Sequence, residues 1–183
     1  MIPKSQWTIK PRNTLIIRFS YPDRSMTDEA AHWLYYRFPW KNIVSVNVKG
    51  LLPARNKAVA NLVLKAAPHI TDVIFMDRDI RPTQFSDPFL CLPHDLAGCK
   101  YKTGEHSDLH WHLPSAVHLG LIRIRRKVFE KIAAPWFEMP LTQDGCGFEV
   151  CECVDFHMKA TRAGFTSAHA GWAEHEPSAS WAH

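Results

Sequence analysis

No run of eighteen apolar residues occurs anywhere in the 183, so no membrane-spanning helix is expected. The N-terminal Met-Ile-Pro-Lys-Ser-Gln lacks the apolar core of a signal peptide. Five cysteines, an odd number in a chain of this kind, fit a reducing compartment better than a disulfide framework, and a cytoplasmic location is the expectation. There is no internal repeat, low-complexity segment or linker, so length alone argues for one domain over residues 1–183. The excess of one sign of charge is also small. A net charge of +4 and a pI near 8.8 suit an anionic ligand such as a nucleotide, but do not by themselves argue for nucleic acid. What the chain does have is an ordinary globular balance, 46% hydrophobic and 22% charged, with seven Trp and eleven His, several of them in the second half.

The hydrophobic pattern predicts strand, helix, strand, helix, strand. Thr14–Tyr21 reads as the first strand and Thr27–Phe38 as an amphipathic helix with Ala31, Leu34, Tyr35 and Phe38 on one face. Ile43–Val48 alternates as a second strand, and residues 53–67 carry Ala58, Val59, Leu62 and Ala66 at helical spacing before Pro68. Asp72–Asp79 follows. Its four consecutive apolar residues, Val73–Met76, read as a central strand covered on both faces. This order predicts an α/β domain, a wound, mostly parallel sheet with helices on both faces and right-handed crossovers. Beyond residue 80 the expectations are a short helix at 85–92, an edge strand at 96–101 and a His-rich polar loop at 102–115. Then come a strand at 116–124, a short helix at 125–132, a loop at 135–148 and a helix at 149–163 closed by Gly164. A strand at 165–170 and a loop-like tail from Gly171 complete the chain.

The apolar strand ends abruptly in Asp77-Arg78-Asp79. In an open α/β sheet ligands bind at the carboxyl ends of the strands. Positions 77 and 79 point to one side of a strand, so both carboxylates can reach one cation bridging a diphosphate. A solvated Asp-rich turn is the plain alternative. Arg55, at the start of a helix on the same edge, is placed to meet a phosphate in bidentate fashion, against the alternative of a surface ion pair. Asn56 reads equally as a ligand contact or as a local cap, and Ser20, at the end of the first strand, joins the nucleotide-binding set.

Ala54-Arg-Asn-Lys-Ala-Val59 opening a helix, followed by Phe75-Met-Asp-Arg-Asp79, resembles the nucleotide-binding half of a GT-A glycosyltransferase of the family-2-like, small bacterial or phage type. Gly120–Phe129 is similar to the strand and helix that follow in such enzymes. Glu152-Cys-Val-Asp-Phe-His-Met-Lys-Ala-Thr-Arg-Ala-Gly-Phe165 is similar to their "Glu-Asp-x-x-Phe … Ala-Gly-Phe" helix, with Cys153 in place of the Asp. The resemblance runs from about residue 13 to 176. It implies a nucleotide-binding half at 13–80 and an acceptor half at 81–183. The implied reaction moves a sugar from a nucleoside-diphosphate sugar, a UDP-sugar above others, to an acceptor hydroxyl on a glycan or a modified nucleic acid. Asp77, Asp79 and His175 would hold Mn²⁺ or Mg²⁺, which stabilises the charge growing on the diphosphate. Glu152, with Asp155 second, would be the base for the acceptor; both share a helical face with Glu149, and Asp155 with Lys159 also reads as a plain ion pair.

Two other functions compete. A nucleotidyltransferase acting on a sugar phosphate should carry a Gly-rich loop after its first strand, and Ser20-Tyr-Pro-Asp-Arg24 has no glycine. A non-catalytic nucleotide- or nucleic-acid-binding module would use the basic run Arg123-Ile-Arg-Arg-Lys127 with loop aromatics such as Trp111, Trp136 and Phe137. A zinc site at Cys146, Cys151, Cys153 and His157 has spacings that match no standard finger, and the loop with His106, Asp108, His110 and His112 reads as a polar acceptor-side loop before a metal site.

Overall fold

The structure, a computed structural model, describes residues 2–20, 27–47, 50–101 and 116–175. The His-rich loop, Trp111 and the tail beyond His175 lie outside the described residues. Seven strands form one sheet: β1 (Thr14–Ser20), β2 (Ile43–Asn47), β3 (Asp72–Asp77), β4 (Ile80–Pro82), β5 (Leu96–Tyr101), β6 (Leu121–Arg125) and β7 (Ser167–His175). Their spatial order is β2-β1-β3-β6-β5-β7-β4. β2, β1 and β3 run parallel, as the alternation of strands and helices requires. β6 then enters antiparallel between β3 and β5, and β4 pairs antiparallel with β7, so the sheet is mixed rather than mostly parallel.

Among the described residues four α-helices cover it. Helix α1 (Asp28–Arg37) starts where Thr27 Oγ1 accepts a hydrogen bond from Ala30 N, with Asp28 and Glu29 in the first turn and Arg37 in the last. Helix α2 (Leu51–Ala58) widens into a single π-type stretch, Val59–Val63, before it ends. Helix α3 (Arg126–Lys131) is short, and α4 (Glu152–Arg162) closes on Gly164 at φ +86°, the left-handed conformation expected of a residue just past a helix end.

The two faces of β1 feed two cores. Leu15, Ile17 and Phe19 pack with Val73 and Phe75 under α2, α3 and α4, whereas Ile16, Ile74 and Met76 pack with Trp33 and Leu34 of α1. Phe75 meets the rings of Phe19, Phe129 and Phe137 at 5.2, 5.9 and 5.8 Å. Truncating such a residue to Ala costs about 3–5 kcal/mol, and this one stands two residues before Asp77, so the packing that fixes the strand also fixes the site. On the other face Arg37 is bound to Asp87 through Nε at 2.7 Å and Nη2 at 2.9 Å, and Trp33 Nε1 donates to the same carboxylate at 3.1 Å.

Three expectations change. Residues 96–101 form an interior strand, and the edges are β2 and β4. The strand expected at 116–124 begins only at Leu121, because the turn at Gly120 packs directly on Tyr101: a Cβ there would stand 2.4 Å from the Tyr101 hydroxyl. The return strand does not stop at 170. Gly171, at φ +79°, forms a bulge, visible where Gly98 pairs with His169 but Lys100 with Trp172, and β7 continues to His175. A Cβ at Gly171 would lie 2.5 Å from the Phe85 carbonyl oxygen, so the loop at 85–86 crosses the strand where only glycine fits.

Candidate active site

β3 leaves the core at Asp77, whose backbone N–H donates to Gly120 O at 2.8 Å. Asp77 continues the face of Val73 and Phe75 and therefore points at α2. There Arg55 lies with only 1% of its side chain exposed, its guanidinium 5.8 Å from the Phe19 ring. Nη2 donates to Asp77 Oδ2 at 2.6 Å and Nη1 to Glu152 Oε1 at 2.8 Å. One cation thus ties β3, α2 and the first turn of α4 together, with Asp77 15% and Glu152 19% exposed.

The charges do not balance pairwise. Burial alone would lower the Arg55 pKa, but Asp77 and then Glu152 outweigh it and hold the guanidinium firmly charged. Burial pushes the Asp77 carboxyl up to about 6 against the pull of Arg55, with Asp79 and Glu152 adding to the rise. Asp77 Oδ1 and Arg55 Nε are both buried without a hydrogen-bond partner. A buried polar atom left unmatched costs roughly 1–3 kcal/mol, which a ligand could recover.

Beside this triad stands a second pair. The turn Arg78-Asp79 joins β3 to β4, and Ile80 of β4 sits opposite His175 of β7. That register brings His175 Nε2 to 3.4 Å from Asp79 Oδ2, and the contact raises the imidazole's pKa despite partial burial. Tyr101 stacks on His175 with ring centroids 5.5 Å apart, while its hydroxyl accepts from Leu121 N at 3.1 Å. Burial, then Asp77, push the Tyr101 phenol well above its ordinary range. Nothing in the alternation pattern marks Tyr101 as a site residue; its place follows from β5 being an interior strand.

Of the residues picked from sequence, Arg55, Asp77, Asp79, Glu152 and His175 meet at one end of the sheet. Arg55 is corrected in role: both terminal nitrogens are engaged by carboxylates, so it bridges them instead of standing open to a phosphate. Asn56 is corrected too. Its Oδ1 accepts from Trp136 N and Phe137 N, and its Nδ2 donates to Leu52 O and Phe137 O, so the amide clamps the loop to α2 with no capacity left for a ligand. Ser20 ends β1 beside β2, its hydroxyl 3.4 Å from Asn47 Oδ1. Asp155 pairs with Lys159 at 2.8 Å, and Lys159 also meets Glu138. Glu149 precedes α4 and does not share its face.

The basic run is structural. Arg123 is buried and donates to Leu92 O, Arg126 caps the end of the second helix through Leu64, Ala66 and Ala67 carbonyls, and Lys127 meets Asp95 at 2.7 Å. Among the described residues no three His, Cys, Asp or Glu side chains converge on one point, so the Cys146–His157 zinc reading is not realised. Asp79 and His175 stand as a pair, a carboxylate oxygen and a ring nitrogen 3.4 Å apart. Ligands at adjacent corners of an octahedron about 2.1 Å from the metal stand about 3 Å apart, close to the 3.4 Å seen.

No protein-family model matches the sequence, and no curated protein matches it. Solved structures do. A197 from STIV superposes with a TM-score of 0.60 at 17% identity, over 90% of this chain and 86% of that one. A Drosophila beta-1,4-galactosyltransferase 7 mutant, in complex with manganese, UDP-Gal and xylobiose, matches with a TM-score of 0.51 at 14% identity, over 86% of this chain and 65% of that one. The fold is GT-A-like. At these identities the likeness concerns the backbone, and the chemistry rests on the side chains above.

Proposed function

We propose that the protein is a metal-dependent glycosyltransferase that takes a UDP-sugar and passes the sugar to an acceptor hydroxyl. The observation that carries this reading is the Arg55-bridged Asp77 standing next to the Asp79–His175 pair at the carboxyl end of β3. Asp79 and His175 would be the two protein ligands of Mn²⁺ or Mg²⁺. Mn²⁺ suits a mixed carboxylate and imidazole set better than Mg²⁺. When bound, the ion supplies Lewis-acid stabilisation of the leaving diphosphate. Arg55 keeps Asp77 and Glu152 in place, and Glu152, at the first turn of α4, takes the proton from the acceptor hydroxyl. The structural likeness to a UDP-Gal- and manganese-bound galactosyltransferase supports the donor class.

Calorimetric titration of UDP with Mn²⁺ and with chelator tests it. Binding should be at least about tenfold tighter with the metal, and Asp79→Ala should abolish most of that gain while the protein stays folded. Equal affinity in both conditions would remove the metal, and hydrolysis of no UDP-sugar by a protein that binds UDP–Mn²⁺ would remove the transferase.

A further inference from the structure

A second concave site lies at the other end of the sheet. An open groove of about 630 Å³ runs between the segment preceding β1 and the end of α1, floored by Trp7 and Phe38. Three exposed cations line it: Lys4, Lys10 and Arg12. Among the described residues none has a carboxylate partner; Lys4 donates to Tyr36 O at 2.9 Å and sits 5.6 Å from the Tyr36 ring. No Asp or Glu is among the lining residues, and the remaining cation there, Arg37, is spent on Asp87. The groove is therefore a concentrated positive patch on a chain of modest net charge. Its wall carries Tyr35 and Tyr36, 56% and 57% exposed, Tyr36 with His32 stacked on it at 5.9 Å between ring centroids, and Trp40, 78% exposed, follows the groove residue Pro39. Exposed flat rings beside cations that have no carboxylate partner among the described residues match a phosphodiester chain whose bases are free to stack.

We propose that this groove binds single-stranded nucleic acid, the phosphates lying on Lys4, Lys10 and Arg12 and the bases stacking on Tyr35 and Tyr36. A duplex hides its base faces and fits poorly. An anionic membrane calls for rings that protrude from a convex surface, whereas these line a hollow. The site is independent of the donor site: β1 alone spans about 20 Å between the two ends of the sheet.

Fluorescence anisotropy of a labelled twelve-nucleotide single strand on the full chain tests this. Log affinity should fall with log salt at a slope of about −2, as three neutralised phosphates predict. Lys10→Glu with Arg12→Glu should flatten the slope to about −0.7, the value for one remaining phosphate contact. Tyr35→Ala with Tyr36→Ala should weaken binding about tenfold or more and leave the slope unchanged. The matching duplex should bind at least tenfold more weakly. UDP–Mn²⁺ binding should be untouched in both double variants, which shows that they are folded and separates this site from the other. Affinity indifferent to the tyrosines, a duplex preferred over the single strand, or binding to phosphatidylserine vesicles with none to the oligonucleotide would each overturn the proposal.

Discussion

Arg55 shows how much one buried side chain can organise. Its charge is sheltered from water and is stable there only because Asp77 and Glu152 hold it from two sides. Arg55→Ala would leave two carboxylates facing each other in a half-buried site. A loss of about 3–5 kcal/mol is expected on chemical denaturation, the cost of breaking a buried pair from one side. Arg55→Lys should rescue only part, since an ammonium cannot hold two carboxylates in the plane of a fork. At Glu152 stability and catalysis should separate. Glu152→Gln keeps an acceptor for Arg55 but cannot take a proton, so turnover should drop by about 10²–10⁴-fold with UDP affinity nearly unchanged. Asp155→Asn, which loosens only the Lys159 pair, should cost little in steady-state assays. An essential Asp155 beside a dispensable Glu152 would reverse the assignment.

At the scale of the element, α4 carries a pH dependence of its own. His157 is buried on that helix with its Nδ1 unpartnered, and burial lowers its pKa. The folded protein therefore prefers the neutral ring, and the unfolded chain binds the extra proton first. The stability this confers is complete above the ordinary histidine value of about 6.5 and is lost as pH falls through the lower, folded value. His175 runs the other way, since its raised pKa adds stability below about 6.5 that fades as pH rises. His157→Leu should flatten the acid side of a melting-temperature profile measured between about pH 5 and pH 7 and leave the alkaline side as it was. An unchanged acid limb would place the titrating group elsewhere.

For the whole molecule, the first half was open to reading and the second was not. Strands β1 to β3 and the helices between them follow period and punctuation, because each repeats a local pattern that burial on two faces enforces. The meeting of Asp77, Asp79, Arg55, Glu152 and His175 could be anticipated from where the motifs fall. Their partners could not. Arg55 looks like any surface arginine in sequence, and only the packing of α4 across α2 turns it into a bridge. Asn56 was legible as a polar residue near a helix start, but three of its four hydrogen bonds reach a loop eighty residues away. The order of β5, β7 and β4 depends on long-range pairing, and period alone says nothing about which strand lies beside which.

Gly171 has an effect that reaches beyond the tight crossing at Phe85. Side chains along a strand take turns between two sides, odd and even, and one extra residue exchanges the two sets from that point onward. His169 and Trp172 share a side because the bulge intervenes, which leaves Ala173 and His175 on the side of Tyr101 and Asp79. Gly171→Ala carries a side chain that the φ of +79° and the Phe85 carbonyl both resist, and the simplest relief is to iron the strand straight. Every later residue would then slip by one, and Glu174 would be presented to Asp79 in place of His175. The expected result is a folded protein whose UDP binding no longer responds to Mn²⁺, readable by the same calorimetry. Whether an imidazole or a third carboxylate meets the aspartates is thus settled by a count of residues, and a glycine that touches no substrate keeps the count.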